Sequence, residues 1–84
     1  MRNMEALKER FRQMHLHQER VVLSALYSAG GIFKGTTMQL RHLLSEPLGE
    51  STIKKAIKRL SDKYVVSIEG EKYSGKGKTY RVLQ

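Results

Sequence analysis

The residues best suited to chemistry are cations at helical spacing beside small hydroxyls. Lys54, Lys55, Lys58 and Arg59 follow Ser51 and Thr52 within one short segment. Ammonium and guanidinium groups donate charge-assisted hydrogen bonds to phosphates, and lysine and serine also reach base edges. Catalytic chemistry finds no such support. Ser, His and Asp all occur, but no spacing sets them up as nucleophile and base. His15 and His17, two apart, point to different sides of a helix, and with His42 they make a poor metal set. Gly70 to Gly77 nearly spells a phosphate loop, but Gly77 stands where a hydroxyl should reach magnesium. The chain therefore reads as a non-enzyme with no cofactor, metal or small-molecule substrate.

The elements that must position these cations follow from periodicity. Ile53, Ala56, Ile57, Leu60 and Tyr64 fall on one stripe of a helix that starts at Glu50 with Gly49 as N-cap. Ser51, Lys55 and Lys58 point away from that stripe, with Lys54 and Arg59 on its flanks. A helix over 50–63 dressed this way suits the major groove of duplex DNA. The preceding helix opens on Thr36 with Gln39 three residues later, a capping-box pattern, and runs to about Ser45, burying Leu40, Leu43 and Leu44. Pro47 stops it, and Leu48 plugs a tight turn. Ile32 and Phe33 form a very short strand.

After Tyr64 the period becomes two. Pairing Ile68 with Tyr80 and Val66 with Val82 puts both apolar sets on one side. That register leaves Tyr73-Ser74-Gly75 as a three-residue loop with glycine at its left-handed place. The hairpin over 70–78 carries Lys72, Tyr73, Lys76 and Lys78, and can reach a minor groove or adjacent phosphates.

Residues 1–29 lack Gly and Pro and read as helix, with a break near His17 separating two stripes. Met4, Leu7, Phe11 and Met14 form the first; Val22, Leu23 and Leu26 carry the second. Gly30-Gly31 closes the helix. The fold class is α+β and mostly α: a three-helix core, a two-stranded hairpin and an extra N-terminal helix. Residues 1–15 form an arm and 16–84 the domain.

The totals agree with a polyanionic partner. Sixteen Lys and Arg against eight Asp and Glu give a net charge of +8 over 84 residues. Residues 50–84 hold nine cations and four acids, against seven and four in 1–49, so the half with the candidate reading helix is the more basic. There is no cysteine, which excludes disulfides and thiolate metal sites. No apolar run is long enough for a membrane span or a signal peptide, so a cytoplasmic, nucleoid-associated location is expected.

The order helix, short strand, helix, turn, helix, hairpin resembles the winged-helix DNA-binding superfamily. Residues 48–60 and 16–26 look most like MarR-type and small archaeal, plasmid and phage winged-helix regulators. The resemblance covers roughly residues 16–83 and implies sequence-specific binding of double-stranded DNA by a transcriptional regulator acting as a homodimer. By position, Ser51, Thr52, Lys54, Lys55 and Lys58 match the reading-helix contacts. Thr36 and Thr37 match the phosphate-gripping start of the second helix, and Lys72, Tyr73, Lys76 and Lys78 match the wing. The long C-terminal dimerisation helix of full regulators has no counterpart here. Met4, Leu7, Phe11 and Met14 offer a substitute dimerisation surface. Two other roles fit the same domain: a DNA-binding component of plasmid or viral replication or partition, and a winged-helix module for protein–protein contact.

Overall fold

A computed structural model describes residues 3–70 and 77–83. Three helices and three strands follow in the order α1 (Asn3–Ser28), β1 (Ile32–Gly35), α2 (Thr37–Arg41), α3 (Glu50–Asp62), β2 (Val66–Glu69) and β3 (Lys78–Val82). The strands form one antiparallel sheet in the order β1-β3-β2. The α+β class stands. Two details of the expected architecture are corrected: the sheet has three strands, because β1 pairs along β3 from Ile32↔Arg81 to Gly35↔Lys78, and the N-terminal helix is not a separate element.

The break expected near His17 is absent because the polar patch there is satisfied by side chains, leaving the helical ladder of α1 intact. Glu19 is buried against α3, where Lys63 Nζ donates to its Oε1 at 2.6 Å and Arg59 Nε lies 3.5 Å from its Oε2. Gln18 Oε1 accepts from Arg59 at 3.3 Å, and His17 pairs with Glu46 in the α2–α3 connection. Removing Glu19 strands two cations that still reach water in part. Glu19→Ala is expected to cost about 1.5–3 kcal/mol in urea unfolding, the range for hydrogen bonds to charged groups.

The core sits where α1 crosses α3. Val22, Leu26, Leu40, Ile53 and Val66 are essentially inaccessible, and Leu44, Leu48 and Val82 pack around them. Each such side chain contributes roughly 1.5–3 kcal/mol of transfer free energy. Gly30 and Gly31, both with φ near +90°, close α1, and the Gly31 N–H donates to the Leu26 carbonyl.

Helix α2 is shorter than its apolar pattern suggests. The Thr36–Gln39 capping box forms in both directions. Beyond Arg41 the N–H groups of His42, Leu43 and Leu44 donate three residues back rather than four. This tightening leaves Leu44 against the core and Leu43 exposed, correcting the expected burial of Leu43 and the extension to Ser45. The α2–α3 connection is therefore residues 42–49, longer than the tight turn expected. Tyr64 is also corrected. Helix α3 ends at Asp62, Tyr64 takes φ +60°, and its side chain lies outside the stripe, 80% exposed. The β2–β3 register has Val66 opposite Val82 and Ile68 opposite Tyr80, as alternation predicts. The loop 73–75 lies outside the described residues.

Candidate nucleic-acid interface

Helix α3 separates its two faces cleanly. Ile53, Ala56, Ile57 and Leu60 are buried, while Ser51, Lys55 and Lys58 are exposed on the opposite side. Among the described residues neither Lys55 nor Lys58 has an ion-pair partner. At about 100° per residue Asp62 shares their side, so the cationic face is limited to the first turns of α3. Gly49 caps the helix with extended backbone and no side-chain bond, leaving an open N-terminal end beside Ser51.

The other candidate residues are placed unequally. Lys54 is exposed and lies 3.4 Å from Glu50, one turn back. Thr52 is half-buried. Arg59 turns towards α1, where Glu19 and Gln18 hold it. Thr37 is buried and donates its hydroxyl to Glu50 Oε1 at 3.0 Å. The Thr36 hydroxyl accepts the Gln39 N–H, so it too has a structural partner. Lys72, Tyr73 and Lys76 lie outside the described residues, and Lys78 opens β3. Met4, Leu7, Phe11 and Met14 are each about half exposed on the first turns of α1.

The geometry brings together what sequence keeps apart. An open groove of about 520 Å³ runs between α3 and the sheet, with Lys54 and Lys58 on one wall and Lys78 on the other. Thr36 stands at its edge, and Ile68 with Tyr80 contributes apolar surface. Three cations so arranged can follow a phosphodiester backbone, and the apolar floor can meet sugar or a thymine methyl. Sequence reasoning did not single out Ile68 or Glu50 here. The Glu50–Lys54 spacing of four was the available signal.

Comparisons with protein-family models, curated proteins and solved structures give no match for this chain.

Glu50 fixes the start of α3 to the start of α2. The Thr37 hydroxyl, then Lys54, hold its carboxyl below the usual glutamate range. A depressed folded value stabilises the fold above the unfolded pKa and is lost as pH falls below about 4. In an NMR titration the Glu50 carboxyl is expected to titrate below ordinary glutamates and to rise in Thr37→Val. Tyr80 shifts upward, because burial disfavours its phenolate, so its contribution is lost in alkali. No described helix is long and apolar enough to cross a membrane.

Proposed function

We propose that this chain is a winged-helix protein that binds duplex DNA in a sequence-preferring way and acts in transcriptional control. The observation that carries the reading is the outward face of α3, where Ser51, Lys55 and Lys58 stand exposed above a buried stripe. Side chains on such a face donate to base edges in the major groove, while Lys54 and Lys78 across the α3–sheet groove neutralise flanking phosphates. The hairpin over 70–78 acts as the wing and lies along the neighbouring minor groove or backbone. One such helix reads only a few base pairs. The preferred site is therefore two half-sites about one helical turn apart, each holding one copy.

Selection from random duplexes followed by salt titration tests this. The selected duplex is expected to bind at least ~1,000-fold more tightly than a scrambled one at the same salt. Both affinities should fall as salt rises, because cations replaced at phosphates are released in either case. Coincident curves for the two duplexes would overturn sequence reading and leave only phosphate attraction.

A further inference from the structure

Helix α1 overhangs the domain. Its 26 residues span about 39 Å, whereas the molecule measures 47 × 24 × 24 Å. From residue 4 to residue 14 every described side chain is exposed. The stripe of Met4, Leu7, Phe11 and Met14 continues, along the same side of the helix, the residues that cover the core further on, Val22 and Ala25 among them. About 15 Å of core-type helix face therefore projects past its own core.

The cover for this face can be read from its borders. With Met4 and Phe11 at heptad position a, and Leu7 and Met14 at d, the flanking e and g positions hold Lys8, Arg10, His15 and His17. All four are basic residue types, and since His17 is already paired with Glu46, the cations that border the overhang among the described residues are Lys8 and Arg10. The acids of this segment, Glu5 and Glu9, point to the back, where Glu9 is held by Arg12 and Gln13. A second copy is a poor fit in either direction. Parallel pairing sets Arg10 against His15 of the other copy; antiparallel pairing sets Lys8 on Lys8 and Arg10 on Arg10. The groove at the inner end of the stripe carries the same sign. It lies between Phe11 and Leu16 of α1 and Arg59 and Lys63 of α3, and its one acid, Glu19, is already paired with both.

We propose that the overhanging face of α1 docks an acidic amphipathic helix of another protein. The partner's apolar stripe covers Leu7, Phe11 and Met14, and its flanking carboxylates meet Lys8 and Arg10. This replaces the second copy expected at the same residues, and it stands independently of DNA reading on α3.

The test uses the full chain and two 21-residue helical peptides with leucine at a and d. One has glutamate at all e and g positions, the other lysine. The expected result is one-to-one binding of the glutamate peptide, weakening with salt, and none of the lysine peptide. Phe11→Glu should weaken that binding at least tenfold while helix content and DNA affinity stay unchanged, because Phe11 lies outside the core. Lys8→Glu with Arg10→Glu should reverse the preference between peptides. Four results would overturn the proposal: equal binding of both peptides; binding of neither; a dimer of the chain alone that Phe11→Glu dissolves; and retention on phosphatidylglycerol vesicles that Phe11→Glu abolishes.

Discussion

Gly77→Ala is expected to be among the most damaging single substitutions in this chain. A Cβ at Gly77 would sit 2.2 Å from the backbone carbon and oxygen of Gly35 and 2.7 Å from the Thr36 nitrogen. Backbone atoms of a paired strand cannot swing aside as the end of a long side chain can. Gly77 also has φ +85°, which costs an L-residue about 1–2 kcal/mol. Overpacking adds about 1–3 kcal/mol. For a domain this size each kcal/mol lowers Tm by about 4–8 °C. Gly30→Ala separates the two contributions, because Gly30 has nearly the same φ, +88°, with nothing within 4 Å of its Cβ position. Gly77→Ala should therefore lower Tm by distinctly more than Gly30→Ala. Equal shifts would mean that the root of β3 does not press on β1 and the start of α2. That contact matters beyond stability, because Lys78 follows directly and forms the wall of the groove facing Lys54 and Lys58.

What sequence revealed was what neighbours in the chain decide. The capping box at Thr36, the cap at Gly49 and the β2–β3 register each depend on a few nearby residues or on strict alternation. The outward face of α3 was legible for the same reason, since helical spacing alone separates Lys55 and Lys58 from Ile53 and Ile57. The errors arose where distant residues intervene. The polar run at 15–19 looks like a break in sequence, but Glu19 meets Lys63 and Arg59, forty or more positions away. Arg59 looked like one more outward cation, and the same contact draws it to α1. Tyr64 kept the apolar period, but a left-handed turn placed it outside the helix that the period implied. The groove beside α3 had no local signature, because α2, α3 and two strands each supply part of it.

Lys55→Ala and Lys58→Ala are expected to act differently from Lys54→Ala and Lys78→Ala. Both project from the outward face, where side chains would meet base edges; Lys58 also borders the groove and would lose a phosphate contact as well, so Lys55→Ala is the cleaner of the two. Losing one such contact costs about 1–3 kcal/mol on the selected duplex, roughly 5- to 150-fold, and much less on a scrambled one. The double variant should therefore bring the two affinities close together. Lys54 and Lys78 line the groove walls and would neutralise phosphates. Their removal should weaken selected and scrambled duplexes alike and flatten the dependence of log affinity on log salt by about 0.9 for each lysine. Arg59→Ala is the discriminating control, because Arg59 is as basic as the others but committed to Glu19. It should lower stability while leaving the salt slope unchanged. A slope change at Arg59 equal to that at Lys54 would mean that this arginine leaves Glu19 for a phosphate when DNA binds. The Arg59 side chain would then swing away from α1, leaving Glu19 to Lys63 alone, and Arg59 would join Lys54 among the phosphate contacts.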